Sequence, residues 1–218
     1  MTTITLQQEL LHLLPEKAIF WPSQSTLLLA DLHLGKVAHF RKSGIALPPQ
    51  AEDKNWQTIS KLMHRWKPEK VIILGDLFHS AYNAQWENFI LMTTRFAQAE
   101  WILVKGNHDI LREAHYTRSN LSLSDYALPM GPFLLTHEPD EVVDDLYTLC
   151  GHIHPGLRLM GSARQSMKVP CFSFSKQVGI LPAFGVFTGL HILQPETDDQ
   201  LFVIADKKVV EIPAKLVL

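Results

Sequence analysis

Five times between residues 26 and 154, an apolar run that reads as a β-strand ends on residue types that hold metal ions. Thr26–Ala30 runs into Asp31-Leu32-His33, and Lys70–Leu74 into Gly75-Asp76. Trp101–Val104 leads to Gly106-Asn107-His108-Asp109, Phe133–Thr136 to His137, and Leu146–Cys150 to Gly151-His152-Ile153-His154. Strands buried on both faces read as continuous apolar runs, and in open α/β sheets ligands gather outside the strands' carboxyl ends. The motifs are separated by 15 to 45 residues, long enough for the chain to leave a sheet and return to the same rim.

The segments between these runs read as crossovers. In Gln50–Trp66 the residues Trp56, Ile59, Leu62, Met63 and Trp66 recur at helical spacing, and Pro68 ends the pattern. Residues 84–98 read as a second helix. Strand–helix–strand order implies a sheet with right-handed crossovers. After Pro155 the pattern changes to short runs punctuated by Gly, Pro and Ser: Met167–Phe174, Val178–Ile180, Phe184–Thr188, Leu201–Ile204 and Val209–Ile212. These predict a second, more antiparallel sheet. Lys17–Trp21 predicts a short strand near the N-terminus. The expected fold is α/β, two mixed sheets with flanking helices in a four-layer αββα sandwich. No composition break divides residues 1–218, so a single domain is expected.

Composition narrows the function classes. The formal charge is −2, which excludes a strongly basic nucleic-acid coat protein but leaves room for local basic patches. Residues 32–51 hold Lys36, Arg41 and Lys42, and residues 146–195 hold Arg158, Arg164, Lys168 and Lys176, both without an acid. Glu138, Asp140, Glu141, Asp144 and Asp145 form an acidic stretch. Only Cys150 and Cys171 occur, which excludes a disulfide framework. Glu9, His12, Pro15, Glu16 and Lys17 interrupt any leader-like apolar stretch, and no run reaches the ~18 residues of a membrane span. A cytoplasmic protein that does not enter a membrane is expected; its oligomeric state is open.

The strand-end motifs supply two Asp, one Asn and four His: Asp31, Asp76, Asn107, His33, His137, His152 and His154. Carboxylate, imidazole and amide oxygen suit Mn²⁺, Fe or Zn²⁺, with no thiolate to mark structural zinc. Seven donors exceed one coordination shell and match two ions sharing a bridge, the arrangement that clamps both oxygens of an in-line phosphoryl displacement.

Asp-x-His, Gly-Asp, Gly-Asn-His-Asp, His and Gly-His-x-His in this order resemble the calcineurin-like metallophosphoesterase superfamily. Finer features are Leu27–Lys36, His39–Ile45, Leu135–Pro139 and Leu181–Gly189. Their combination is similar to the bacterial phosphoesterase family known as ligase-associated DNA damage response endonucleases. That resemblance implies one ion on Asp31, His33 and His154, a second on Asn107, His137 and His152, and Asp76 bridging them beside a nucleophilic hydroxide. It further implies His108 as general acid, Asp109 as a group orienting the site, two divalent ions with Mn²⁺ expected first, and DNA as substrate. A repair helicase, a nuclease and a DNA ligase are the partners it suggests. His39 and Arg41 are candidates for contacts to substrate phosphate, as is His79, which equally suits a turn. A phosphomonoesterase or nucleotide hydrolase would use the same ligands, and a non-catalytic scaffold of this fold would lack the His that here is His108.

Overall fold

A computed structural model describes residues 1–42, 44, 51–78, 85–111, 113–116, 118–140, 143–160 and 165–216. The first sheet begins with a meander of β1 (Thr2–Leu6), β2 (Glu9–Leu14), β3 (Ala18–Trp21) and β4 (Thr26–Ala30). From β4 onward its strands are parallel: β5 (Lys70–Leu74), β6 (Glu100–Val104) and β7 (Leu121–Ser124). The crossovers carry α1 (Lys36–Lys42), α2 (Ala51–Trp66), α3 (Gln85–Arg95) and the short α4 (Glu113–Tyr116).

The second sheet contains β8 (Ala127–Met130), β9 (Phe133–Thr136), β10 (Tyr147–Cys150), β11 (Pro155–Met160), β12 (Ser166–Phe174), β13 (Val178–Ile180) and β14 (His191–Ile192). Its order is β14-β11-β12-β13-β10-β9-β8, and β15 (Gln200–Ala205) pairs with β12 and with β16 (Lys208–Pro213). β10 lies parallel to both β9 and β13, whereas β12 is antiparallel to β11, β13 and β15. Both sheets are therefore mixed.

Side-chain alternation sorts the core into layers. Leu27 and Leu29 of β4, with Val71, Ile73, Trp101 and Leu103, face Ile59, Leu62 and Met63 of α2 and Trp86, Phe89 and Met92 of α3. Leu28, Ile72, Leu74 and Val104 point the other way, against Phe133, Leu135, Leu149, Phe172 and Phe202 of the second sheet. This is the period-2 alternation of a strand packed on both faces. The far face of the second sheet carries a smaller cluster, Leu157, Val169, Cys171, Leu201 and Val203, closed by Ala214 at the start of a 3₁₀ turn. Sheet packs on sheet, in the α/β sandwich of two mixed sheets that the sequence predicts, with the α-helices among the described residues outside the first sheet.

Two differences from the sequence expectation have local causes. The β1–β2 hairpin lacks the Asn-Gly signature of a tight turn; Gln7 and Gln8 adopt left-handed φ of 49° and 66° instead. The expected strand at 184–188 does not form. The segment instead latches onto the end of β4: Phe184 N donates to Ala30 O at 2.8 Å and Gly185 N to Asp31 O at 3.0 Å. A Cβ on Gly185 would collide with the Leu32 carbonyl, so glycine permits this approach.

Candidate metal centre

Each motif of the sequence analysis sits where a strand ends and the chain turns sharply. Asp31 (φ 53°), His33 (46°), Asp76 (51°), His152 (67°) and His154 (54°) all adopt left-handed backbone conformations. Such conformations cost non-glycine residues roughly 1–2 kcal/mol each. Five of the seven proposed donors carry that cost, so the site is held by the surrounding fold against local preference.

Backbone bonds lace the turns together. Asp31 N donates to Gly75 O at 3.2 Å, His33 N to Asp76 O at 2.9 Å, and Gly151 N to His137 O at 3.1 Å. Side chains reinforce them: Asp31 Oδ2 accepts from His152 N at 2.9 Å and Asp76 Oδ1 from His108 N at 3.1 Å. Asp31, Asp76 and His137 are buried, and Asn107 is exposed at the rim.

The donor atoms fall into two groups. Asp31, His33 and His154 make the first: His33 Nε2 lies 3.2 Å from His154 Nε2, which lies 3.5 Å from Asp31 Oδ1. His137 Nε2 is the hub of the second, 3.1 Å from Asn107 Oδ1, 3.0 Å from His152 Nδ1 and 3.4 Å from Asp76 Oδ1. Asp76 faces both, because its Oδ2 is 3.7 Å from His33 Nε2. Asp31, Asp76 and His137 also form a compatible trio, so Asp31 reaches towards both groups.

These residues fit divalent metal. For metal–donor bonds of ~2.1 Å, adjacent donors of a tetrahedral or octahedral shell stand about 3.0–3.4 Å apart; four of the contacts here lie at 3.0–3.4 Å and two, at 3.5 and 3.7 Å, just beyond. His137 Nδ1 lies 3.1 Å from Leu74 O, so it donates there and leaves the Nε2 lone pair facing the cluster. A ligating histidine ordinarily gives its second N–H to such a carbonyl. Burial pushes the Asp76 carboxyl above its ordinary range, and His137 and the His108 amide act the other way. A cation between the carboxylates removes that cost.

His108 is exposed, with its ring 5.8 Å from the His33 ring in edge-to-face geometry, and neither compatible trio includes it. Asp109 turns inward. Its Oδ2 accepts from Gly106 N at 2.9 Å and its Oδ1 from Leu77 N at 3.0 Å, tying the Gly106–Asp109 loop to the Gly75–Asp76 loop. Burial pushes its carboxyl up to about 6. Arg41 lies exposed on α1; the side chain of His39, also on α1, and all of His79 lie outside what the structure describes.

Residues 25–179 match the calcineurin-like phosphoesterase family. The chain belongs to that family. Family members work with divalent metals, and this one is a metal-dependent phosphoesterase. No curated protein matches the chain by sequence. The crystal structure of Pseudomonas putida nuclease MPE is similar to it at a TM-score of 0.79 and 27% identity, covering 97% of this chain and 99% of that one. YfcE, a phosphoesterase from E. coli, aligns at a TM-score of 0.45 and 11% identity over 87% of this chain and 98% of that one.

One neighbour of the site reads in the sequence only as a member of the basic stretch 32–51. Lys36, which opens α1, interacts electrostatically with both Asp76 and Asp31. Burial draws its ammonium below the ordinary lysine range, and the two carboxylates oppose that shift. Its signal is the Gly35-Lys36 pair, one residue beyond the Asp-x-His motif.

Two glycines of the family motifs are fixed by crowding. Gly75 has φ 72°, and a Cβ there would collide with the His137 imidazole. A Cβ on Gly151 would stand 2.6 Å from Asp31 Oδ2. Gly75→Ala displaces His137, so metal affinity measured by titration is expected to fall at least 10–100-fold while the far-ultraviolet circular dichroism stays native. Unchanged affinity would remove His137 from the donor set.

Proposed function

We propose that the protein is a two-metal phosphodiesterase that cleaves nucleic acid, with DNA in repair as its setting. The observation that carries the metal count is the two donor groups joined across Asp76, one oxygen of which faces each group. When bound, two divalent ions supply a nucleophilic hydroxide at neutral pH and neutralise charge on the phosphate. Asp31, His33 and His154 would hold one ion, Asn107, His137 and His152 the other, and Asp76 both. Asp109 holds the two motif loops in register. His108, exposed at the rim, would give a proton to the leaving alkoxide.

Charge around the rim supports a polyanionic substrate. Lys36 is within electrostatic reach of Asp76 and Asp31. Arg158 and Lys168 face each other across β11 and β12, about 13 Å along the strand from His154. Like charges opposed in this way repel, and a phosphate chain relieves that repulsion. The similarity to a nuclease over nearly the whole chain points the same way. Mn²⁺ is the proposed metal, with Fe and Zn²⁺ accepted by the same donors. The exposed acids Asp140, Asp144 and Asp145 would offer a basic repair partner (helicase, nuclease or ligase) a docking face in the cytoplasm. Co-purification from cells of the source organism tests that partnership.

The direct test is hydrolysis by the Mn²⁺-loaded protein of bis-p-nitrophenyl phosphate, p-nitrophenyl phosphate and a single-stranded oligodeoxynucleotide. Preference for the diester and scission of the oligonucleotide are expected. Preference for the monoester would replace this reading with a small-molecule phosphatase.

A further inference from the structure

Beside the second donor group opens a cleft of about 470 Å³, lined by Gly106, Asn107, His137 and Glu138 together with Asp125 and Tyr126. Its volume lies in the range of small-ligand pockets. Asn107 and His137 belong to the candidate metal centre, so the cleft continues directly from the place where phosphorus would react. Asp125 and Tyr126 belong to the turn between β7 and β8, the point at which the chain passes from the first sheet to the second.

That turn is pinned to the metal-binding loop. Lys105 N donates to Ser124 O at 2.9 Å, and Lys105 Nζ bonds Asp125 Oδ1 at 2.6 Å. The next residue, Tyr126, is 76% exposed, the most exposed large hydrophobic side chain among the described residues. An aromatic ring held in the open at the edge of a polar cleft offers a flat apolar face. Charge then selects what lies on it. The cleft is lined by one cation, Lys105, and by three acids, Asp109, Asp125 and Glu138, so it disfavours a second phosphate. A nucleobase carries no charge, has a π-face, and presents amino hydrogens that carboxylates accept.

We infer that this cleft is the subsite for a nucleobase next to the scissile phosphate, with Tyr126 as its stacking face and Asp125 and Glu138 as acceptors at its edge. The inference rests on the nucleic-acid reading above and deepens it. The base on that side is gripped by stacking, which every base permits, so recognition there is tolerant of sequence. Lys105 is a positioning residue, fixing the turn that carries Tyr126.

The test compares two competitive inhibitors of bis-p-nitrophenyl phosphate hydrolysis by the Mn²⁺-loaded protein: deoxyadenosine 5′-monophosphate and 2-deoxyribose 5-phosphate. They share sugar and phosphate and differ by the base. In the unaltered protein the nucleotide is expected to inhibit about 5- to 150-fold more tightly, the span of one stacked base. Tyr126→Ala should bring the two inhibition constants together, and Tyr126→Phe should keep them apart. The inference is overturned if the unaltered protein does not distinguish the inhibitors, or if Tyr126→Ala distinguishes them equally well. An unaltered protein that hydrolyses no phosphodiester overturns the nucleic-acid function itself, a different result from an active enzyme indifferent to the base.

Discussion

Asp76→Ala is expected to lose more than 10³-fold in kcat on any phosphodiester, and its metal content, measured on the purified protein, to fall from two ions to fewer than one. The side chain is buried, and its two oxygens face different histidines, Oδ2 towards His33 and Oδ1 towards His137. Removing it deletes a ligand from both groups at once. It also breaks the 3.1 Å bond that fixes the His108 amide.

Stability gives this prediction a second readout. In metal-free protein the Asp76 carboxylate is buried at a desolvation cost, the reason its carboxyl lies above the ordinary range. Alanine removes that cost. The metal-free variant should therefore melt no lower than metal-free unaltered protein, whereas added Mn²⁺ should stabilise only the latter. At 100 times the dissociation constant, that stabilisation is about 2.7 kcal/mol. Equal stabilisation of both proteins by Mn²⁺ would show that Asp76 is not a bridge.

The centre was legible in the sequence because its members obey a local rule. An apolar strand must stop where its chain leaves the core, and a ligand-type residue at each stop marks the rim that the parallel pairing of β4, β5 and β6 then brings together. The same rule hid other features. Gln7 and Gln8 make the first hairpin with backbone torsions, and no turn residue announces them. Phe184–Thr188 has the composition of a strand, but Ala30 and Asp31 offer its amides better partners than a sheet edge does. The family resemblance implies that Asp109 orients the site, but no local pattern names the Gly106 and Leu77 amides through which it ties two loops together. Tyr126 lies in a turn with no motif around it, and its placement depends on a Lys105–Asp125 link across 20 residues. Local pattern picks out the ligand-type residues that the fold gathers, whereas pairings remote in sequence decide what stands next to them.

His108→Ala should separate proton transfer from metal binding. The residue sits between Asn107, whose side chain meets His137, and Asp109, which is tied to the neighbouring loop. Its backbone position is thus set by its neighbours and by Asp76, and the imidazole itself can be deleted without disturbing the donors. Two ions should remain bound. On an oligodeoxynucleotide, turnover should fall on the order of 10²–10⁴-fold, the contribution of a positioned general acid. On bis-p-nitrophenyl phosphate the loss should be smaller, because p-nitrophenolate is a stable anion and departs with less need of a proton, whereas a sugar alkoxide does not. The contrast between substrates identifies the role: a purely electrostatic contact to the phosphate would depress both reactions alike, and a metal ligand would release an ion. Equal losses on the two substrates, or metal content below two, would reassign His108.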